Sequence, residues 1–280
     1  MEKIKLNNGV EMPVFGFGTY KVKDPSECER SVKTAVEAGY RLIDTAQFYD
    51  NEAAVGAAIK NCGVAREELF VTTKVWFRSF ETEDCRASLD GSLRKLGMDY
   101  LDLVLLHWPF GNVYAAWRVL EEYYAAGKIR AIGVSNMDPD RLIDLITFNK
   151  VCPAVNQIET HLYCQRKTAR RWLAKYGVAP QAYSPLGQGR ANQMFEEPIV
   201  RTIAAAHGKT TGQILLRFLV QSGISVIPKS VHPDRIQANI RIFDFALSDN
   251  EMERLASLDT GKALIGNPGS PEKVETAMTW

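Results

Sequence analysis

Eight short apolar stretches, each followed by a helical pattern, dominate this sequence, and few folds accommodate them. The strand-like runs cover residues 14–19, 40–44, 68–75, 101–106, 129–134, 154–158, 178–183 and 225–228. Helical apolar spacing follows at 25–38, 51–60, 82–96, 113–126, 139–148, 166–176, 198–206 with 211–221, 233–239 and 248–258. Pro25 opens the first helix, and Gly39, Gly97, Gly127 and Gly177 follow last turns, where a left-handed cap favours glycine. Strands that alternate with helices require a parallel sheet joined by right-handed crossovers. Residues 101–106 form an almost continuous apolar run, as in a strand buried on both faces. Eight such units in 280 residues fit a closed barrel better than an open sheet. Residues 4–13 alternate around Asn8-Gly9, which predicts a hairpin with positive φ at both turn residues. The expected architecture is α/β: a (β/α)8 TIM barrel with an N-terminal β-hairpin and extra helices, one domain over residues 1–280.

Several function classes are excluded at this level. Gly16-Phe17-Gly18 continues as Thr19-Tyr20-Lys21 and lacks the third glycine of a dinucleotide fingerprint, and no P-loop pattern occurs. A formal net charge of +1 gives no global field for nucleic acid or an anionic membrane. Cys28, Cys62, Cys85, Cys152 and Cys164 form no CxxC pair, so neither a metal site nor a disulfide framework is signalled. The first residues carry no apolar core of signal-peptide length. A soluble, cytoplasmic, monomeric protein with free thiols is expected, with no metal, membrane or nucleic-acid partner.

In a barrel of this kind, function collects where strands end in loops on the C-terminal face. Polar residues at those ends are Asp44, Lys74, His107, Ser135, Asn136, Gln157, Glu159, Tyr183, Ser184, Lys229 and Ser230. A buried carboxylate such as Asp44 needs a partner, and Lys74 on the next strand is the available cation. A phenol beside that lysine, Tyr49, is expected to have its phenolate stabilised and its pKa lowered, which suits proton transfer. His107, just past an apolar strand, is placed to orient a carbonyl as a neutral imidazole. Tyr20, Phe48, Trp76 and Trp108 fall beyond strand ends around the same mouth and predict an aromatic substrate pocket. Gln47, Phe77, Phe110 and the loop 188–193 are further candidates to face it.

The motifs Asp44-Thr45-Ala46-x-x-Tyr49, Thr73-Lys74-Val75-Trp76, Leu105-Leu106-His107-Trp108-Pro109, Gly133-Val134-Ser135-Asn136, Asn156-Gln157-Ile158-Glu159, Tyr183-Ser184-Pro185-Leu186 and Ile227-Pro228-Lys229-Ser230 run in collinear order. This set resembles the aldo-keto reductases, and the compact form after His107 resembles the 2,5-diketogluconate reductase and prostaglandin F synthase branch. The resemblance implies NADPH-dependent reduction of a small-molecule carbonyl, with Tyr49 as general acid, Lys74 paired to Asp44, and His107 orienting the carbonyl. It implies that Ser135, Asn136 and Gln157 hold the nicotinamide carboxamide and that Tyr183 stacks on the ring. Thr19, Tyr20, Asp44, Ser184, Leu186, Gln188 and Val231 complete the implied cofactor contacts. Lys229, Ser230 and Arg235 form a basic cluster that suits a phosphate monoester and favours NADPH over NADH.

The sequence departs from the family pattern at Ala238, where members commonly carry Glu beside the residue matching Asn239; a weaker adenine contact is expected, with Asn239 retained. The tail from Gly266 to Trp280 shows no clear periodicity, and its role is open. Two other classes fit the same barrel: a catalytically idle NADPH-binding or structural protein, and a Schiff-base aldolase using Lys74. The intact set Asp44, Tyr49, Lys74 and His107 argues against the first. Pairing with Asp44, which keeps Lys74 protonated, argues against the second.

Overall fold

A computed structural model describes residues 2–189, 192–277 and 279–280. The elements in chain order are β1 (Lys3–Lys5), β2 (Glu11–Pro13), β3 (Gly16–Gly18), α1 (Pro25–Glu37), β4 (Leu42–Asp44), α2 (Glu52–Lys60), β5 (Phe70–Val75), α3 (Thr82–Leu96), β6 (Leu103–Leu106), α4 (Val113–Ala125), β7 (Ile132–Ser135) and α5 (Pro139–Phe148). They continue with β8 (Val155–Glu159), α6 (Lys167–Lys175), β9 (Ala179–Tyr183), α7 (Asn192–Glu196), α8 (Pro198–His207), α9 (Thr211–Gln221), β10 (Ser225–Val226), α10 (Pro233–Ile240), α11 (Asp249–Ala256) and α12 (Pro271–Ala277). Each expected strand is present; most are trimmed, and β7 and β8 each run one residue past the expected end.

Strands β3 to β10 form one eight-stranded sheet in sequential order, every neighbouring pair parallel. The sheet closes on itself: Phe15 bridges Val226 in parallel, and the Val226 amide donates to the Val14 carbonyl at 2.9 Å. The glycines of Gly16-Phe17-Gly18 allow close packing beside this seam. A Cβ on Gly16 would lie 2.2 Å from a Leu42 methyl carbon, and one on Gly18 would lie 2.9 Å from the Ile227 carbonyl oxygen.

Strand alternation sorts the side chains into two cores. Ile43, Val71, Val75, Val104, Leu106 and Ile158 point outward beneath the helices. Leu42, Phe70, Leu103, Leu105, Val155 and Ala179 point inward and fill the lower barrel. The hairpin β1–β2 plugs the floor, with Leu6 and Met12 buried against this inner cluster. Its turn corrects the expected geometry: Gly9 alone has positive φ (86°), and the Leu6 amide donates to the Val10 carbonyl across a longer loop. Asn8 is instead used as a stitch, donating to the Arg130 carbonyl at 2.9 Å, while Asn7 donates to the Pro153 carbonyl at 2.9 Å.

Another buried acid organises the strand N-termini. Asp102 accepts from Arg66 and Arg130, each at 2.7 Å, and from the Val71 amide at 2.9 Å. All five cysteines are free thiols. Among the described residues, no helix is long and apolar enough to cross a membrane.

The tail also differs from expectation, because α12 is helical. Ser270 accepts from the Lys273 amide at 3.1 Å, and Pro271 occupies the first turn. This is ordinary N-terminal chemistry on a segment too short and polar to show a period.

Gly133 tests the tightness of strand packing, since a Cβ there would lie 2.5 Å from the Val155 carbonyl oxygen. Gly133→Ala is expected to destabilise the protein by about 1–3 kcal/mol, as overpacking against backbone does. Urea unfolding should show a lower midpoint at constant slope; an unchanged midpoint contradicts a seam this tight.

Candidate active site

The inward positions change from apolar to polar toward the C-terminal face. On β4, Leu42 is followed two residues later by Asp44; on β5, Phe70 and Thr72 are followed by Lys74. Asp44 lies in register with Thr72, so Lys74 is the next inward side chain above it. Its ammonium reaches Asp44 Oδ1 at 2.5 Å, the Thr45 carbonyl at 3.0 Å and the Tyr49 hydroxyl at 3.2 Å. Three acceptors match the three donors of an ammonium. The second Asp44 oxygen accepts from Gln157 Nε2 at 2.8 Å, across the barrel from β8. Burial pushes the Asp44 carboxyl up and the Lys74 ammonium down from their ordinary values, and the partner's charge and hydrogen bond oppose both shifts. The complete set of hydrogen bonds to the charged forms holds the pair ionised.

Tyr49 arrives on a tight 3₁₀ turn, Gln47–Tyr49, that ends at Asp50 in the left-handed region (φ 54°). Buried Asn51 fixes the following chain by accepting from Thr45 Oγ1 at 2.7 Å and donating to the Thr19 and Val22 carbonyls. Gln47 does not face the pocket, contrary to expectation. Its amide donates to Ser88 and Ser92 of α3, and its oxygen accepts from the Trp76 amide at 3.0 Å. It therefore holds the Tyr49 turn against β5.

The expected lowering of the Tyr49 pKa is also corrected. Burial pushes the phenol well above its ordinary value, and the charge of Asp44 adds to this. The reason is that desolvation of a phenolate outweighs one lysine already neutralised by its own carboxylate. At neutral pH the phenol is protonated.

His107 closes the group. It is 7% exposed, its ring lies 5.6 Å from that of Tyr49, and its Nδ1 is buried without a partner. Burial, with the charge of Lys74 adding to it, lowers the imidazole pKa well below its ordinary value, so the ring is neutral.

The residues expected around a nicotinamide lie beside this group. Ser135 Oγ donates to the Gln157 carbonyl at 2.8 Å. Asn136, left-handed at φ 58°, donates to the His107 carbonyl and to Ser135 Oγ, and accepts from the Tyr183 hydroxyl at 2.7 Å. Gln157 uses both amide protons, on Asp44 and on Gln181 Oε1 at 2.7 Å. What Gln157 offers a ligand is therefore its oxygen. Thr19 Oγ1 donates to the Asp44 carbonyl, and Tyr20 packs 4.9 Å from Tyr49. Ser184 (φ 49°), Leu186 and Gln188 (φ 52°) follow β9. Lys229, Ser230, Val231, Arg235 and Asn239 sit on the loop after β10 and on α10, away from the Asp44 group, with Lys229 and Arg235 exposed. Arg190 and Ala191 of the candidate loop lie outside the described residues.

Over the other half of the mouth the aromatic residues form a cup. Phe48 stacks on Trp76 at 4.1 Å, Trp76 meets His107 edge-on at 5.3 Å, and Trp108 stacks on Phe110. Sequence reasoning missed the fourth wall. Trp280, at the end of the tail, lies 5.1 Å from Trp108 and 6.1 Å from Trp76. An isolated tryptophan after an aperiodic segment carries no local signal of this contact.

The model of the Aldo/keto reductase family matches residues 14–260. The chain belongs to this family. A glyoxal reductase of Bacillus subtilis (strain 168) is 44% identical over 268 residues, which cover 95% of this chain and 96% of the relative. Among solved aldo-keto reductases, an enzyme from a Medee basin deep-sea metagenome library matches with TM-score 0.94 at 40% identity, covering 95% of this chain and 98% of the other. The Bombyx mori aldo-keto reductase, solved in complex with NADP, matches with TM-score 0.90 at 33% identity, covering 95% of each.

Because the folded state resists protonating His107 while the unfolded chain accepts a proton near pH 6.5, this group costs stability as pH falls below about 6.5. The His107 ring resonances are expected to stay unshifted from about pH 7.5 to 5.5, a range in which an ordinary imidazole titrates. A midpoint near the ordinary value would contradict the neutral assignment.

Proposed function

We propose that this oxidoreductase reduces aldehydes and ketones to alcohols with NADPH, with Tyr49 as the proton donor. The observation that carries this reading is the inward row from Asp44 through Lys74 to the Tyr49 hydroxyl, with neutral His107 beside it. The nicotinamide cofactor supplies the hydride when bound. The chain's own residues do the rest. Tyr49 holds a proton, because burial keeps its phenol neutral. As that proton passes to the carbonyl oxygen, charge develops on the phenol oxygen 3.2 Å from the Lys74 ammonium. The hydrogen bond that is weak toward neutral phenol strengthens toward phenolate, so the stabilisation is greatest where the barrier lies. Asp44 holds the lysine in place and, through Gln157, ties it to β8. Neutral His107 retains one N–H with which to orient the carbonyl.

The free acceptor atoms fit the amino end of a nicotinamide carboxamide. The Gln157 oxygen accepts from an amide N–H, and Asn136 Oδ1, already accepting from Tyr183, has a second lone pair for the same purpose. The Tyr183 ring is fixed through its hydroxyl, which suits a stacking platform. Lys229, Ser230 and Arg235 supply two cations and a hydroxyl for the phosphate that distinguishes NADPH. At Ala238 the carbonyl is held by Gln213 Nε2 at 3.0 Å, so the helix that would carry the adenine contact keeps its backbone anchored without the family's usual carboxylate. The aromatic cup suits flat, apolar carbonyl compounds, and glyoxal, named in the Bacillus relative, is a small test substrate. A Schiff-base role for Lys74 is disfavoured because its ammonium already meets three acceptors.

Tyr49→Phe is expected to lower kcat for 4-nitrobenzaldehyde by about 10²–10⁴-fold, the usual worth of a general acid. NADPH binding, followed by fluorescence quenching, should remain within about twofold because the ring and its packing stay. Retained turnover would remove Tyr49 from the acid role.

Arg235→Gln should weaken NADPH binding by roughly tenfold or more and leave NADH nearly unaffected, as loss of one charge-assisted phosphate contact would. Equal effects on both cofactors would place the phosphate elsewhere.

A further inference from the structure

Glu159 is a carboxylate at the end of β8 with 0% exposure, and the proposed chemistry does not use it. Its Oε1 accepts from the Leu264 amide at 2.5 Å and the Ile265 amide at 3.0 Å, and its Oε2 lies 3.1 Å from the Ile265 amide. His161 Nε2 sits 3.1 Å from Oε1, and the His161 ring is itself fully buried. A buried carboxylate is tolerated only when its acceptor sites are filled. Two consecutive main-chain N–H groups of the tail fill most of them here. The strand end and the tail segment 264–265 are therefore ordered by each other.

The position of this contact matters. Glu159 is two residues beyond Gln157 and in register with Tyr183, so it belongs to the strand pair that carries the proposed nicotinamide contacts. The tail is fixed just before the clasp, where Asp259 accepts from the Gln165 amide at 3.1 Å and the Thr260 amide donates to the Tyr163 carbonyl at 2.9 Å. Beyond the clasp it crosses the end of β7, where a Cβ on Gly269 would lie 2.8 Å from Asp138 Oδ2. It ends with Trp280 against Trp108 and Trp76, past the ends of β6 and β5. The tail is a strap over four successive strand ends, clasped at one side of the mouth and carrying a substrate wall at the other.

We propose that Glu159 is a positioning residue for substrate selection: by clasping the Leu264 and Ile265 amides it sets Trp280 into the aromatic cup, and so confers preference for flat aromatic aldehydes over small dicarbonyls. This rests on the reductase reading for its kinetic consequences, while the clasp itself is testable without turnover.

The test uses the full chain with Glu159→Gln, which keeps one acceptor oxygen but turns an N–H₂ group toward the tail amides, and with Trp280→Ala. Hydrogen exchange should accelerate at the amides of Leu264 and Ile265 in Glu159→Gln and stay at the wild-type rate in Trp280→Ala. The KM for 4-nitrobenzaldehyde should rise about tenfold in either variant, the size of effect expected for one lost aromatic wall. In Glu159→Gln the KM for glyoxal and the NADPH dissociation constant should stay within about twofold, because the nicotinamide contacts are not part of the clasp. The double variant should be no worse than Trp280→Ala alone, since both changes remove the same contact. An equal KM rise for both aldehydes, weakened NADPH binding in Glu159→Gln, or unaltered exchange at the two amides would overturn the proposal. Absence of any NADPH-dependent turnover in the wild type would sink the reductase reading and the selectivity together; the exchange rates would still decide whether the clasp exists.

Discussion

The ion pair between Asp44 and Lys74 is the interaction on which the rest of the site depends. It sits where a barrel interior is filled only by inward side chains from neighbouring strands, and water is excluded from below by a layer of Leu42, Phe70, Leu103 and Leu105. In that setting an unpaired charge is strongly disfavoured, so each member fixes the other's position. With the Thr45 carbonyl taking a second N–H, the paired lysine has one direction left for hydrogen bonding, and Tyr49 lies in it. Geometry at the reacting end is thus set by electrostatics two residues deeper in the barrel.

Around this centre the mouth divides by strand. The β7–β9 ends carry Ser135, Asn136 and Tyr183, joined by side-chain hydrogen bonds, and Gln157, whose carbonyl Ser135 reaches and whose amide ties to Asp44 and Gln181. The β10 end and α10 carry the basic cluster. The β4–β6 ends carry Phe48, Trp76, His107 and Trp108, which touch mainly through rings. A polar network fixes a ligand of constant shape, and ring packing admits ligands of varied shape. The division suits an enzyme with one cofactor and a range of carbonyl partners.

The barrel was legible because hydrophobic period and glycine or proline punctuation are local properties, and they recur eight times. The inward placement of Asp44 and Lys74 was legible because a period of two continues from the apolar residues below them. Features that depend on contacts between distant residues were not. Trp280 meets Trp76 across about two hundred residues of chain, and the Glu159 carboxylate meets amides at 264 and 265 with no trace in either segment. Gln47 seemed a pocket residue from its place beside Tyr49, but a 3₁₀ turn reversed its direction. The direction of the Tyr49 shift was misjudged for a related reason. Proximity to a cation can be read from sequence order, whereas the degree of desolvation depends on everything packed around the hydroxyl. At Asn8-Gly9 the hairpin was legible, but its longer loop, with positive φ at Gly9 alone and Asn8 donating to the Arg130 carbonyl, was not.

The hairpin floor bears on traffic through the site. With Met12 and Leu6 packed beneath the inner layer, and Asn7 and Asn8 tied to carbonyls on the strand side, the barrel is plugged at its floor. The buried row from the Asp44 carboxylate through the Gln157 and Gln181 amides reaches the Ser225 hydroxyl and, beyond it, the Pro13 carbonyl in that floor, and all four side chains are shielded from solvent. In the proposed reaction, a Tyr49 that has given up its proton faces the mouth, the side from which product would leave. On that reading, recharging the acid and emptying the cup share one side of the barrel, and the strap that borders this side stands beside both.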